Sequence, residues 1–231
     1  MLLSIIRQNQ KLAAKRNPAF DRNRFAKFLI YFMVAFWAAY LIFIGVMLSF
    51  AFEDIFPSME PYHIMNQGLI YLLILDFLLR FMLQPAMSQE IKPYLLMPIK
   101  KNKLVDTLLL QSGISSYNFF WFFLIVPFAL LTIIRFYGFT GILCYLCGIW
   151  LLMAMNSYWY LICKTLLNEK LLYILLPIGV YGLLAGTEFI PEGNPVSTFM
   201  MNLGEGFIEG NILAFLGVIA AILLLLLVNR K

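Results

Sequence analysis

The feature that most constrains this chain is a run without charged residues that is long enough to cross a lipid bilayer. Residues 28–52, FLIYFMVAFWAAYLIFIGVMLSFAF, contain no Asp, Glu, Lys or Arg, and about 20 apolar residues suffice for a transmembrane helix. The whole chain is 62% hydrophobic and 13% charged, whereas soluble domains have about 25% charged residues. These values exclude an ordinary soluble core and predict an integral membrane protein.

Further apolar runs of similar length follow along the chain and set the predicted fold class. Because the runs are unbroken rather than alternating, they favour helices over the strands of a β-barrel. We therefore predict an all-α, polytopic membrane protein in which residues 1–231 form a single transmembrane domain. The six predicted transmembrane helices cover residues 28–52, 64–85, 107–134, 138–163, 171–187 and 211–228.

The distribution of Lys and Arg between the loops predicts the orientation of the chain. The connections at 53–63 and 188–210 have acidic residues and no Lys or Arg, whereas the N-terminal segment and the connection at 86–106 are rich in basic residues. Basic loops stay cytoplasmic, so both termini are predicted to be cytoplasmic, with Arg135 as an exception to the pattern. Topology and the anionic lipid bilayer then explain the net charge of +5, which does not indicate nucleic acid binding.

Residues 1–17 are predicted to form an amphipathic helix in the inner membrane interface. Its apolar and basic residues recur at helical spacing, and they are Leu2, Leu3, Ile5, Ile6, Leu12 and Ala13 on one side and Arg7, Lys11, Lys15 and Arg16 on the other. Pro18 then interrupts the helix before the first span. The alternative is a merely basic flank, but the apolar residues would then face water.

The segment 93–109, PYLLMPIKKNKLVDTLL, combines large apolar side chains with lysines in a loop predicted to be cytoplasmic. Pro93 suits the first turn of a short helix, and Pro98 ends or bends it. The side chains of interest are Tyr94, Leu95, Leu96, Pro98, Ile99, Lys100 and Lys101. Such an apolar helical face either docks into a groove on another protein or rests on lipid headgroups, and the residues alone do not decide between these.

Polar residues inside the predicted spans are the other candidates for function. Asp76 and Arg80 are four residues apart, so they share a helix face and can pair, either as a structural pair or as part of a transport path. Gln111, Ser115 and Asn118 are at a similar depth to Asn156. These side chains either line an inward-facing cavity or bond the helices together.

Residues that would support catalysis by this chain are missing from its sequence. His63 is the one histidine, which is too few for a zinc site, and there is no phosphate-binding loop for ATP. Cys144 and Cys147 have C-x-x-C spacing, but in an apolar run without further ligands they are interpreted as packing residues. We predict no catalytic residue, no metal site and no cofactor.

The order of these elements resembles the membrane subunit of the type-two ABC exporters. LLMPIKKNKLVDTLLLQ, residues 95–111, is similar to the segment that forms the coupling helix in that family. Within this class the chain is most similar to a poorly characterised group of bacterial permease-like membrane proteins. The fifth span is short and no periplasmic domain is present, so the family's substrates do not carry over.

The resemblance implies partners and a location. Tyr94, Leu95, Leu96, Pro98, Ile99, Lys100 and Lys101 would belong to a cytoplasmic coupling helix. That helix would dock on a separate ABC ATPase subunit, which would hydrolyse ATP. The chain would work with a second permease subunit in a bacterial inner (plasma) membrane and move an unidentified substrate. The alternative is a non-transporting membrane scaffold or accessory protein.

Overall fold

A computed structural model describes residues 24–84, 101–187 and 194–230, together with Ser4, Ile6, Gln8, Asn9, Leu12 and Tyr94. Within these residues the chain is helical and has no β-strand, which confirms the all-α prediction. In chain order the helices are α1 (Arg24–Ile55), α2 (Pro61–Gln67), α3 (Leu69–Leu83), α4 (Lys101–Gly113), α5 (Tyr117–Phe120), α6 (Phe122–Thr132), α7 (Ile134–Glu169), a 3-10 helix (Leu171–Ile174), α8 (Leu175–Gly186), α9 (Pro195–Ile208) and α10 (Ile212–Arg230).

Three of the described helices, α1, α7 and α10, are each long and apolar enough to cross a membrane. Two bent pairs add two further candidates: α2 and α3 meet at 48°, and the segment Asn102–Phe120 meets α6 at 60°. The described helices therefore fit a multi-pass membrane protein with three to five spans. The remaining predicted span, residues 171–187, corresponds to the shorter α8 and the 3-10 helix before it.

The predicted continuous helix over 107–134 is instead interrupted after Gly113 and at Trp121. At the first break, α4 packs so closely against α7 that a Cβ atom on Gly113 would collide with the hydroxyl of Tyr158. Asn118 and Tyr158 supply hydrogen bonds to carbonyls near the end of α4. The break therefore leaves few backbone groups unsatisfied, which is a condition for irregular backbone at membrane depth.

A second change of direction occurs at Gly138, near the start of α7. Its backbone has φ 63° and ψ −163°, a conformation that glycine adopts without the steric cost of a Cβ atom. The sequence FYGF predicts a turn at this position, and the helix that follows continues beyond the predicted end at 163 to Glu169.

The centre of the fold is α7, which packs against α3, α4, α6, α9 and α10. Buried side chains form two clusters along it. The larger includes Phe128, Tyr145 and Phe207, and the smaller includes Phe77 and Leu104. Burying a large apolar side chain contributes about 1.5–3 kcal/mol in water, but lipid is also apolar, so close packing matters more between these helices.

The N-terminal segment contributes a side chain to the smaller cluster. Ile6 is 0% exposed and packs with residues of that cluster, so it joins the bundle rather than facing an interface. Ser4, Gln8, Asn9 and Leu12 are also helical. The other residues of the predicted interfacial helix, among them Arg7, Lys11, Lys15 and Arg16, lie outside the described residues.

Ion pairs show which connections lie at the same end of the bundle. Arg135 Nη1 is 3.3 Å from Glu53 Oε1, so the basic exception to the loop pattern pairs with an acid in the last turn of α1. At the opposite end, Arg230 Nη2 is 3.1 Å from Asp106 Oδ2. The acidic connections and the C-terminus therefore lie at different ends, as the loop charges predict.

Candidate functional site

The candidate site is built on the ion pair of α3. Asp76 is 3% exposed and Arg80 is 1% exposed, and the Arg80 Nε donates to Asp76 Oδ2 at 2.7 Å. One helical turn brings the two side chains to the same face. Since a buried charge without a partner costs several kcal/mol, this pairing offsets part of the cost of placing both side chains inside the bundle.

Two further donors complete the surroundings of the Asp76 carboxylate. Trp121 Nε1 donates to Oδ1 at 2.9 Å, and Asn156 Nδ2 donates to Oδ2 at 2.7 Å. Trp121 lies at the break before α6, and Asn156 is in the middle of α7. The carboxylate thus accepts hydrogen bonds from three separate parts of the chain, and charge-assisted bonds of this kind are stronger than neutral ones.

Asn156 extends the network to α8. Its Nδ2 also donates to the backbone carbonyl of Leu73 at 2.9 Å, and its Oδ1 accepts from the Tyr181 hydroxyl at 2.6 Å. Tyr181 is the side chain through which the short α8 reaches the centre of the bundle. The network therefore holds α3, α7 and α8 in one arrangement.

Arg80 links the same network to the broken helix α4. Its Nη2 donates to Asn118 Oδ1 at 2.8 Å, and Asn118 Nδ2 in turn donates to the carbonyl of Gly113 at 2.5 Å. The last carbonyls of a helix have no partner within the helix. Asn118 supplies a hydrogen-bond donor to one of these carbonyls at the end of α4. The Nη1 atom of Arg80 is buried and has no hydrogen-bond partner among the described residues.

The structure brings together four of the predicted intramembrane polar residues: Asp76, Arg80, Asn118 and Asn156. Gln111 and Ser115 are half-buried and lie outside the hydrogen bonds of the Asp76 carboxylate. For the four that meet, the arrangement favours helix bonding over lining of a cavity. Whether the pair also serves a transport path stays a prediction.

Trp121 and Tyr181 are the residues of this network that sequence reasoning missed. Both lie in apolar runs, where an aromatic ring alone gives no sign of a polar role. The available signal is chemical: an indole N–H or a phenol O–H inside a bundle usually needs a hydrogen-bond partner. Asp76 and Asn156 were the nearby candidates, but their proximity to these rings depends on the tertiary fold.

Of the predicted coupling helix, Leu95, Leu96, Pro98, Ile99 and Lys100 lie outside the described residues, and the backbone of Lys101 begins α4. Tyr94 is described, and its predicted docking role stays a prediction. It is 8% exposed and belongs to the cluster that contains Phe77 and Leu104. Its ring is therefore largely covered by the chain itself.

The described helices fit a multi-pass membrane protein, and a buried ion pair with its hydrogen bonds joins them. The chain belongs to the family described as "Family of unknown function (DUF5687)", which matches residues 10–231. No curated protein and no solved structure matches the chain. Within the described residues, no group of three or more His, Cys, Asp or Glu side chains is placed to hold a metal ion.

Proposed function

We propose that this chain is the permease subunit of an ATP-driven exporter of the ABC type. In this proposal it crosses a bacterial inner membrane six times with both termini in the cytoplasm. It pairs with a second permease subunit and a separate ATPase subunit. The observation that supports the proposal is the burial of Tyr94, which belongs to one cluster with residues of α3 and α4.

Tyr94 provides a mechanical reason for this assignment. Its cluster includes Phe77 of α3, Leu104 of α4 and Tyr160 of α7. Residues 95–100 follow directly in the sequence, so a partner that displaced them would also displace Tyr94, whose cluster includes residues from three helices. Packed side chains with discrete arrangements can pass such a displacement on.

The ion pair is suited to receive this displacement. Phe77 shares a buried cluster with Tyr94 and is the neighbour of Asp76 in α3, so the proposed route from Tyr94 to the Asp76–Arg80 pair runs through this cluster. A shift of α3 would break the hydrogen bonds that Asn156 and Trp121 donate to the Asp76 carboxylate, and other hydrogen bonds would replace them. The proposed role of the network is to set two arrangements of α3 relative to α7 and α8.

The alternative is a non-transporting membrane scaffold or accessory protein. One observation favours it: the Asp76 carboxylate is fully hydrogen-bonded within the bundle. A static structural network needs this arrangement as much as a moving one does. Recovery of a partner ATPase therefore separates the two functions.

The test is the double change Leu96→Glu and Ile99→Glu, followed by co-purification. Both side chains belong to the predicted apolar face, and a buried apolar anchor at an interface is often worth about 2 kcal/mol or more. We expect the wild-type chain to recover an ATPase subunit from its native membrane. The double variant should lose that subunit by at least about tenfold, since 1.4 kcal/mol corresponds to a factor of ten.

Asn102→Glu is the matched control for added charge. Asn102 is exposed at the start of α4, so this change adds a carboxylate nearby without removing an apolar anchor. It should keep most of the ATPase, and all three proteins should elute as single species in size-exclusion chromatography. Equal recovery by wild type and double variant would contradict docking, and a wild type without any ATPase would favour the scaffold.

The proposed orientation has a separate test by cysteine labelling. In a chain whose Cys144, Cys147 and Cys163 are replaced by Ala, single cysteines are introduced by Ser58→Cys and Asn102→Cys. Both positions are exposed. The charge asymmetry of the loops predicts that an impermeant maleimide labels position 58 in intact cells, and position 102 only after permeabilisation. Labelling of position 102 in intact cells would mean that this position faces the outside, and it would contradict the proposed orientation.

A further inference from the structure

A cavity of about 620 Å³ lies at the end of the bundle that carries the acidic connections. Its walls come from the end of α1, the following loop, the starts of α2 and α7, the end of α6 and one residue of α9, Met201. Its size falls within the range of about 300–1,000 Å³ typical of small-molecule sites. The polar network around Asp76 does not contribute to this outer cavity.

The charges around the outer cavity are mostly negative. Glu53 and Glu60 line it together with His63 and Arg135. Arg135 is bound to Glu53, and His63 Nδ1 is 2.5 Å from Glu205 Oε1. The Glu60 carboxylate has no ion-pair or hydrogen-bond partner among the described residues. The carboxylate of Glu60 thus lines the cavity without a basic partner among the described residues, so a ligand that enters should bring positive charge.

The apolar part of the lining is aromatic and adaptable. Phe50, Phe56 and Phe136 are each about half exposed, and Met59 and Met201 line the same space. Aromatic faces attract organic cations, and methionine side chains fit irregular apolar surfaces. The walls therefore suit an apolar body that carries a cationic group.

We propose that the outer cavity binds a cationic amphiphile, meaning an organic ammonium group joined to an apolar body. The ammonium group would lie between Glu60 and the Glu53–Arg135 pair, and the apolar body would lie against Phe50 and Phe136. A zwitterionic phospholipid is a poorer fit, because its phosphate would approach the same carboxylates. Binding requires neither an ATPase nor transport, so this proposal stands apart from the proposed function.

The probe is octyltrimethylammonium, titrated into the purified chain in dodecyl maltoside by isothermal titration calorimetry. The heat of titration into protein-free micelles is subtracted. We expect a saturable component for this probe and none for octyl sulfate, which has the same tail and the opposite charge. Tetramethylammonium, which lacks the tail, should bind at least about tenfold more weakly, a difference of about 1.4 kcal/mol.

Variants locate the binding. The double change Glu53→Gln and Glu60→Gln should weaken it by about tenfold, Arg135→Gln should strengthen it, and Ser58→Trp should block the cavity. Glu209→Gln is the matched control, because this carboxylate at the end of α9 is exposed but does not line the cavity. The carboxylates at 53 and 60 are exposed, so their replacement leaves the packed core intact.

Three results would overturn the proposal. They are the absence of saturable binding by octyltrimethylammonium, equal affinity of the wild type and the Glu53→Gln, Glu60→Gln variant, and saturable binding of octyl sulfate. Competition by dihexanoylphosphatidylcholine at the same concentration as the probe would assign the cavity to a phospholipid headgroup instead. Loss of the ATPase from the complex, by contrast, would leave the binding measurement unchanged.

Discussion

Replacing Asp76 by Asn should be among the most destabilising single changes in this protein. The change removes the carboxylate that accepts from Arg80, Trp121 and Asn156, and leaves the 1% exposed guanidinium without its counter-charge. Breaking a buried pair by removing one partner typically costs about 3–5 kcal/mol. The measurement is the apparent midpoint of thermal unfolding of the purified protein in detergent.

A double-mutant cycle separates the pair from the individual residues. Adding Arg80→Gln to Asp76→Asn removes the stranded charge and should restore part of the loss. Arg80→Gln alone should cost less than Asp76→Asn, because the carboxylate keeps Trp121 and Asn156 as donors. If the two losses simply add, the residues do not stabilise each other.

Asp106→Asn is the matched control for this cycle. Asp106 also pairs with an arginine, Arg230, but the side chains are 43% and 53% exposed. Exposed pairs are typically worth about 0–1 kcal/mol, so the midpoint should change little. A loss as large as that of Asp76→Asn would mean that burial is not what makes the inner pair important.

Placing a side chain at Gly148 should weaken the packing of α9 against α7. A Cβ atom at this position of α7 would collide with the ring of Phe207, which is 0% exposed and packs against Phe215. Extra atoms in a packed core cost about 1–3 kcal/mol. Gly148→Val should therefore lower the apparent midpoint of thermal unfolding, with a larger effect than Gly148→Ala.

The effect should depend on the Phe207 ring. Phe207→Ala alone leaves a void and is destabilising by about 3–5 kcal/mol, but Gly148→Val added to it should cost little more, because the colliding atoms are gone. Gly179→Ala is the matched control in α8, where no atom lies within 4 Å of a new Cβ. It should leave the midpoint unchanged or raise it, since Ala is favoured over Gly in helices by about 0.5–1 kcal/mol. Additive losses at 148 and 207 would contradict the contact.

These two sites differ in how far they could be predicted from the sequence. The Asp76–Arg80 pair follows from a spacing of four within one helix, which is a local property. The contact between Gly148 and Phe207 joins residues from α7 and α9, and periodicity does not reveal it. The outer cavity likewise depends on the packing of five helices. The sequence shows the charged residues of the cavity, but it does not show that they lie close together.

The sequence by itself determined the all-helical class, the membrane character and the separation of acidic from basic connections. Long apolar runs and the positions of Lys and Arg are local or additive properties, so they survive without knowledge of the fold. Only the tertiary structure decided where the helices break, and at the break after Gly113 the chain packs closely against Tyr158 from another helix. It also decided that Tyr94 is buried and that Trp121 and Tyr181 belong to the polar network. A residue's spacing along the chain shows which side of a helix it lies on, but the side chains that cover it come from distant segments.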